Sequence, residues 1–328
     1  IGDSLFAVSS SSIYEIELAD NTTSAESWEN RTSGTSQYLE SVTFGNNIFV
    51  TVGTSGTILT SSDNGNSWTS RNSGITKDFH GITYGNNTFV AVGKDGKIRT
   101  SQDGTTWTAQ TSGVTSRLNE VTFENNTFVA VGNQGIILTS PDGTTWTEQD
   151  SGKTSSLVGI TYGNNIFMVV GDSGTILASP DGTTWTPITG VTDHLIGVTH
   201  GNNTFIAVGY GGKIFTAPDG TSGAPTLWTE RNSGTTVPLY GIVYGKSAFV
   251  VVGESGTILT SPDGTTWTPK TSNMGNKQGQ DITYANDTFV AVAYSGTIVT
   301  SSDVTTSSAT ASTVSLSGID NSTSVSFQ

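Results

Sequence analysis

The fold is decided by a stretch that recurs along the whole chain. Residues 81–108 read GITYGNNTFVAVGKDGKIRTSQDGTTWT. Three short runs of apolar and β-branched residues are separated here by an Asn-Asn pair and by glycine-containing turns, a pattern that predicts antiparallel strands and no helix. A fourth strand begins at the tryptophan. We call the four strands A, B, C and D in chain order.

The same pattern returns about every forty residues. The phenylalanine of strand B recurs, at spacings of 38 to 44 residues, as Phe49, Phe89, Phe128, Phe167, Phe205, Phe249 and Phe289. A small four-stranded sheet cannot bury both of its faces alone, so neighbouring copies must stack, and radial stacking gives a β-propeller. We therefore predict an all-β fold, a closed β-propeller of four-stranded antiparallel blades that occupies residues 1–328 as a single domain.

The two ends of the chain set the predicted blade count. Residues 5–8 match strand B, residues 13–16 match strand C and Trp28 opens a strand D, so the first unit lacks a strand A. The C-terminal residues 319–328 contain a match to strand A, and we expect them to close the ring by completing this first blade. The count is then eight blades, with no open strand edge. The alternative is seven blades, in which the strand after Trp28 completes the last blade and residues 1–18 are left over.

The turn between strands C and D resembles the Asp-box, or BNR, repeat of sialidase-like propellers, Ser-x-Asp-x-Gly-x-x-Trp. The match is complete over residues 61–68 and one residue shorter in four later blades. The residues assigned to this turn are Asp63, Trp68, Asp103, Trp107, Asp142, Trp146, Asp181, Trp185, Asp219, Trp228, Asp263, Trp267 and Asp303. The aspartate of such a turn accepts hydrogen bonds from following backbone N–H groups and the tryptophan packs between blades, so we assign both a structural role. The resemblance, which extends to Ycf48-like repeat proteins, implies a fold and no particular activity.

Composition argues against several classes of function. The net charge of −14, with only 13 basic residues, disfavours binding to nucleic acid or to an anionic membrane surface. The chain has no cysteine and therefore no disulfide or thiol chemistry. No apolar run reaches the roughly 18 residues that span a bilayer, so we expect no membrane insertion. The three histidines have no metal-ligand spacing around them, and we predict neither a metal nor a cofactor.

The resemblance to sialidases implies a test of catalysis, because those enzymes need three arginines that converge on a substrate carboxylate. Arg31, Arg71 and Arg231 each lie three residues after a strand-D tryptophan, which places them on the outer rim of the ring and far from one another. Arg99 lies on a strand C, and Arg117 alone lies in a loop that leads to an inner strand. Paired carboxylates for another glycoside hydrolase are also scarce on the inner strands. We predict a protein that is not an enzyme.

A ligand site is predicted where the blades differ. One variable column lies two residues before the central Ile or Val of strand A, and the loops from strand D to strand A vary as well. On a propeller these loops and the B-to-C connections meet on one face, around the mouth of the central channel. The predicted ligand-binding residues are Glu40, Asp78, His80, Arg117, Asn119, Asp193, His194, Tyr240 and Gln280. The alternative is unselected variation at solvated positions.

These observations favour an extracellular or cell-surface module for binding or adhesion, which recognises a glycan or a protein partner. Charged residues make up only 12% of the chain, and Thr, Ser, Asn and Gly fill its predicted surface. A second interpretation is a structural stalk, sheath or filament-decorating domain within a larger surface assembly, because near-identical blades suit a scaffold. A sialidase-like hydrolase and a Ycf48-like assembly factor rank below these, the latter because the basic patch of that family has no counterpart here.

Overall fold

This computed structural model describes residues 4–9, 12–17, 27–220, 224–225, 227–302 and 304. The described strands form seven four-stranded antiparallel sheets and one separate two-stranded sheet. Each large sheet is one blade, with strands A to D in order from the centre of the ring to its rim.

The strands run in chain order through the blades. The first three are β1 (Ser4–Ser9), β2 (Ser12–Glu17) and β3 (Glu29–Arg31). Blades one to three contain β4 (Leu39–Gly45), β5 (Ile48–Gly53), β6 (Ile58–Ser61), β7 (Thr69–Arg71), β8 (Phe79–Gly85), β9 (Thr88–Gly93), β10 (Lys97–Ser101), β11 (Thr108–Thr111), β12 (Leu118–Glu124), β13 (Thr127–Gly132), β14 (Ile137–Ser140) and β15 (Thr147–Gln149). Blades four and five contain β16 (Leu157–Gly163), β17 (Ile166–Gly171), β18 (Ile176–Ser179), β19 (Thr186–Ile188), β20 (Leu195–Gly201), β21 (Thr204–Gly209), β22 (Ile214–Pro218) and β23 (Thr229–Arg231). Blade six is β24 (Leu239–Gly245), β25 (Ala248–Gly253), β26 (Ile258–Ser261) and β27 (Thr268–Lys270), and blade seven begins with β28 (Gly279–Ala285), β29 (Thr288–Ala293) and β30 (Ile298–Ser301).

Two kinds of turn connect these strands. The A-to-B hairpins turn on two residues with positive φ, such as Asn46 at 45° and Asn47 at 61°, a conformation that asparagine tolerates better than most residues. The B-to-C connections each contain one short 3₁₀ turn. These turns are Thr54–Gly56, Lys94–Gly96, Asn133–Gly135, Asp172–Gly174, Tyr210–Gly212, Glu254–Gly256 and Tyr294–Gly296.

The blade count of eight is wrong: the described chain forms seven blades, as the alternative had it. The outer strand of blade seven is β3, which pairs with β30 through Glu29↔Thr300 and Arg31↔Ile298. Trp28, only 1% exposed, packs beside Phe289 of the same blade with ring centroids 6.3 Å apart. Strand β3 thus joins the sheet of blade seven, and the burial of Trp28 beside Phe289 holds it there.

The first partial unit therefore does not become a blade. Among the described residues its strands β1 and β2 pair only with each other, from Ser4↔Glu17 to Ser9↔Ser12. The C-terminal strand predicted over residues 319–328 lies outside the described residues. The inner strand β28 contacts β4, as each inner strand contacts the next, so the seven blades form a ring.

Neighbouring blades share their apolar cores. Phe49, Leu39 and Leu59 of blade one pack with Val290 and Val292 of blade seven. Burying such side chains fully contributes roughly 1.5–3 kcal/mol each, which makes the blade interfaces the main source of stability.

The inner strands approach closely through a glycine at their end. A Cβ on Gly45 would lie 2.0 Å from Cγ of Tyr84 in the next blade, so the tyrosine ring occupies the place of a side chain. The same relation joins Gly85 to Phe123 and Gly163 to His200. These rings lock successive blades together on the face opposite the channel mouth.

Candidate functional site

The variable column of strand A coincides with a β-bulge. In blade one the pairing with β5 shifts between Leu39 and Ser41, which leaves Glu40 as the extra residue. The shift recurs in the other six blades at the corresponding residue. A bulge releases one residue from the ladder and re-aims its side chain. The residues of this column take no part in the strand pairing, and their side chains can therefore differ from blade to blade.

Glu40 and Arg117 bring opposite charges into the mouth. Burial raises the pKa of Glu40, against the opposing effect of Arg117, and burial lowers the pKa of Arg117 although its side chain keeps exposed surface. Within the described part of the chain, neither side chain forms an ion pair within 4.0 Å or a hydrogen bond. Both charges have thus lost part of their hydration without a direct partner.

His80 lies in the same part of the mouth. Burial, with a smaller contribution from Arg117, lowers its pKa to about 4, so the imidazole is neutral at pH 7. Its Nδ1 is buried and has no hydrogen-bond partner among the described residues. His80 offers the mouth a neutral ring and not a charge.

Four tyrosines also lie at the mouth. Tyr38 of blade one and Tyr294 of blade seven stack with centroids 4.1 Å apart and planes 11° apart. Tyr210 and Tyr240 meet edge to face at 6.4 Å. Tyr38 is 44% exposed and Tyr210 is 52% exposed, which makes them two of the three most exposed large apolar side chains in the described part of the chain.

The phenols of Tyr240 and Tyr294 remain protonated at neutral pH. Burial, with the nearby Tyr210 and Glu254, raises the pKa of Tyr240 to about 12. Burial and Glu40 also raise the pKa of Tyr294, whose side chain bonds with that of Gln280. Of the predicted ligand-binding residues, Glu40, His80, Arg117, Tyr240 and Gln280 are therefore brought together with the tyrosines.

Three tyrosines of the mouth were missed by the sequence analysis: Tyr38, Tyr210 and Tyr294. The signal for two of them was present, because the first residue of the B-to-C turn differs among the blades as strongly as the strand-A column. These turn residues are Thr54, Lys94, Asn133, Asp172, Tyr210, Glu254 and Tyr294. Tyr38 lies in a D-to-A loop, and only the closed ring places it against Tyr294.

Two predicted ligand-binding residues anchor loops instead. Asn119 is buried, and its Nδ2 donates to the Leu157 carbonyl at 2.7 Å and to Asn133 Oδ1 at 3.0 Å. Asp78 Oδ1 accepts a hydrogen bond from the Ser55 backbone N–H at 2.9 Å. These hydrogen bonds hold in place the turns that form the mouth.

The two remaining predicted residues lie in one loop of blade five. Asp193 lies 3.8 Å from Lys213, and His194 Nδ1 lies 3.2 Å from Asp172 Oδ1. The His194 ring also meets Tyr210 edge to face, with centroids 6.0 Å apart. His194 therefore borders the mouth beside Tyr210.

Two carboxylic acids lie deeper in the ring, on the inner strands below the mouth. Burial raises the pKa of Glu120 well above its usual range and also raises that of Asp281, and the Asp281 carboxylate adds to the effect on Glu120. Asp281 accepts hydrogen bonds from Ser41 and Val42 of blade one. Among the described residues no group of three or more His, Cys, Asp or Glu side chains is arranged to hold a metal ion.

The turn after strand C has the same geometry in blades two, three, four and six. In blade two Asp103 Oδ1 accepts from the N–H groups of Thr105 and Thr106, both at 2.8 Å, and Trp107 Nε1 donates to the Gly104 carbonyl at 3.0 Å. Hydrogen bonds of this kind lower the pKa of Asp142 to about 2 in blade three. The ionised carboxylate is therefore part of the turn.

The turn of blade one has the same plan with one more residue. Asp63 Oδ1 accepts from the Ser67 N–H at 2.9 Å, and Trp68 Nε1 donates to the Gly65 carbonyl at 3.0 Å.

The turn changes where the sequence departs from the pattern. In blade five Asp219 Oδ1 lies 2.9 Å from His200 Nε2, and Trp228 Nε1 has no partner among the described residues. Asp303, assigned to blade seven, lies outside the described residues, and Trp28 Nε1 of that blade also lacks a described partner. In blades one, two, three, four and six, by contrast, the tryptophan donates to the glycine carbonyl of the turn.

The rim arginines bond to the strands beside them. Arg31, Arg71 and Arg231 donate from Nε to Oγ1 of Thr300, Thr60 and Thr216, at 2.8, 2.9 and 2.9 Å. Gln110 and Gln149 make the same bond to Thr100 and Thr139 in blades two and three, at 2.8 Å. In blade four both members of the pair differ: Ile188 stands in place of the arginine or glutamine, and Ala178 in place of the threonine. Arg99 donates to the Ser73 carbonyl at 3.0 Å.

A membrane-spanning helix is not found: within the described residues no helix is both long enough and apolar enough to cross a bilayer.

Comparisons with known proteins identify the class as a β-propeller. Residues 24–150 match a family model described as the DUF6242 beta propeller domain. The comparison with curated proteins gave no match.

Several solved structures share the fold at low identity. Ycf48 from Cyanidioschyzon merolae is 16% identical, with a TM-score of 0.70 over 84% of this chain and 98% of that one. A Ycf48 bound to a D1 peptide is 17% identical, with a TM-score of 0.70 over 86% of this chain and 96% of that one. A streptogramin B lyase is 14% identical, with a TM-score of 0.74 over 84% of this chain and 97% of that one.

Proposed function

We propose that this chain is a non-catalytic binding module that holds a segment of a protein partner in its channel mouth. One observation carries the proposal: the exposed stack of Tyr38 on Tyr294 adjoins Glu40 and Arg117, two charges of opposite sign that lack a direct partner among the described residues. Exposed aromatic rings together with unpaired, partly dehydrated charges are typical of binding surfaces.

A polypeptide fits this mouth better than a glycan. A lectin built from repeats would carry the same polar pocket in several blades, whereas the strand-A column here presents a different side chain in every described blade. Such an asymmetric surface suits one asymmetric ligand that lies across the mouth. The Ycf48 structure with a bound D1 peptide supports this choice by analogy of fold alone.

The absence of catalysis is part of the proposal. Four of the five arginines donate hydrogen bonds to neighbouring strands or loops, which leaves Arg117 alone to face the mouth. A carboxylate-binding triad of arginines would need two more at the same place.

Two finer parts of the proposal concern family and location. The hydrogen-bonded turns at Asp103 and Asp142 support an Asp-box relationship. A surface rich in Thr, Ser and Asn, with few charges, supports an extracellular or cell-surface location. Fractionation of the native cells would test the location directly.

The proposal is tested by selection from a random peptide library displayed on phage, with a glycan array in parallel. The variant His80→Ala/Tyr240→Ala removes two mouth side chains, and Thr105→Ala/Thr144→Ala alters two exposed threonines of the C-to-D turns as the matched control. We expect peptides that bind the wild type and the control but lose at least tenfold in affinity for the mouth variant.

Two outcomes would contradict the proposal. Glycans bound at the mouth, with no peptide selected, would make the chain a lectin. No mouth-dependent ligand of either class would favour the structural stalk or sheath, for which the near-identical turns of four blades are the supporting observation.

A further inference from the structure

We propose that the mouth holds a cationic side chain of the partner, an arginine or a lysine, between the face of Tyr38 and the carboxylate of Glu40. The inference rests on the proposed function and adds the chemistry of the ligand. We call Tyr38, Tyr294 and Glu40 the cation subsite.

The aromatic part of the subsite is formed by ring closure. Tyr38 precedes the first inner strand and Tyr294 begins the last B-to-C turn, and their rings stack at 4.1 Å with planes 11° apart. Because Tyr294 covers one face of Tyr38, the 44% of Tyr38 that stays exposed includes surface available to a ligand. The face of a tyrosine ring attracts a cation through its quadrupole, and arginine does this most often.

Glu40 lies near a cation but forms no ion pair among the described residues. Lys77 pairs with Asp95 at 2.8 Å and also acts on Asp78. Arg117 is the cation that acts on Glu40, and the same guanidinium also faces Asp78. Arg117 lies beyond 4.0 Å from both and pairs with neither. The charge of Lys94 lowers the pKa of both His80 and Asp95, and burial is the main reason that His80 is neutral.

The wider charge of the chain has the same sign. The negative charge of Glu254 contributes to the raised pKa of Tyr240 at the mouth, and the net charge of the chain is −14. A cation in the subsite would give Glu40 a direct partner and replace the hydration that Glu40 has lost. An anionic ligand would have to bind Arg117 beside two carboxylates, so we commit to the cationic one.

Three peptides test the subsite: (Gly-Arg)₃-NH₂, (Gly-Gln)₃-NH₂ and (Gly-Glu)₃-NH₂, each labelled with fluorescein on its N-terminal amine. Binding is measured by fluorescence anisotropy at two salt concentrations. Glu40→Gln is compared with Glu148→Gln, which removes one equal charge from an exposed position on an outer strand. Tyr38→Ala is compared with Tyr38→Phe, which keeps the ring.

We expect the arginine peptide to bind at least about tenfold tighter than the glutamine peptide, with Glu40→Gln and Tyr38→Ala each losing about tenfold. Glu148→Gln and Tyr38→Phe should stay within about twofold of the wild type, since a remote exposed charge contributes little. Thermal melting of each variant separates loss of binding from loss of folding.

Equal losses in Glu40→Gln and Glu148→Gln would overturn the inference, because the attraction would then be the general charge of the chain. Tighter binding of the glutamate peptide, lost in Arg117→Gln, would overturn it in favour of an anion site. In either case mouth-dependent peptides from the phage selection would leave the proposed function standing, and their failure would remove that function separately.

Discussion

The hydroxyl of Ser41 in blade one donates a hydrogen bond to Asp281 Oδ2 in blade seven, at a distance of 2.8 Å. The same carboxylate oxygen accepts from the Val42 N–H at 2.9 Å, and Ser41 Oγ accepts from the Ile82 N–H of blade two at 3.3 Å. One network therefore joins three successive blades at the place where the ring closes.

Replacing this hydroxyl tests its contribution to closure. Ser41→Ala leaves Asp281 with one donor fewer and the Ile82 N–H without its side-chain acceptor, in a region where Ser41 is 2% exposed. We expect a loss of about 1–3 kcal/mol in the free energy of unfolding, measured by urea denaturation. Ser36→Ala, at an exposed position in the preceding loop, is the control and should change little. Equal stability of the two variants would show that closure does not depend on this network.

Neutralising Glu120 should stabilise the fold. Its folded pKa is raised, so the fold favours the protonated acid, and the stability that this neutral form provides is lost as pH rises above the unfolded value of 4.5. Glu120→Gln keeps the shape without the charge, and we expect a higher melting temperature than the wild type at pH 7 and a smaller difference at pH 4. Glu148→Gln, which is exposed, should show no such gain. A lower melting temperature at pH 7 would contradict the prediction.

The turn aspartates should give the opposite pH dependence. The folded pKa of Asp142 is lowered from 3.8 to about 2, so its contribution to stability is present above pH 3.8 and is lost as pH falls towards 2. We expect Asp142→Asn to melt below the wild type at pH 7, with the difference shrinking between pH 4 and pH 2 in a series of thermal scans. A difference that stays constant over this range would assign the effect to shape and not to charge.

The rim pairs should behave as coupled units. Arg71→Ile leaves Thr60 Oγ1, in a residue only 5% exposed, without its donor, and we expect a loss of about 1 kcal/mol in the free energy of unfolding. The double variant Arg71→Ile/Thr60→Ala copies the pair Ile188 and Ala178 of blade four and should recover part of this loss. Additive losses in the double-mutant cycle would refute the coupling.

The sequence by itself determined the blade. Strand order, the short turns and the buried phenylalanines follow from a repeat whose signals are local: alternating apolar runs, Asn-Asn hairpins with positive φ at both residues, and an aspartate that bonds to the N–H groups just after it. The variable column was also visible, although the reason that it varies, the bulge at Glu40 and its counterparts, was not.

The tertiary structure alone decided the number of blades and the stacking of Tyr38 on Tyr294 at the mouth. The strand after Trp28 has the same local sequence signals whether it pairs within its own unit or with β30, and the choice rests on the burial of Trp28 beside Phe289, which is far away in sequence. The stack of Tyr38 on Tyr294 likewise exists only because the first and last blades meet. Contacts between residues that are distant in sequence leave no periodic signal in a single sequence, so only the tertiary structure of the closed ring reveals them.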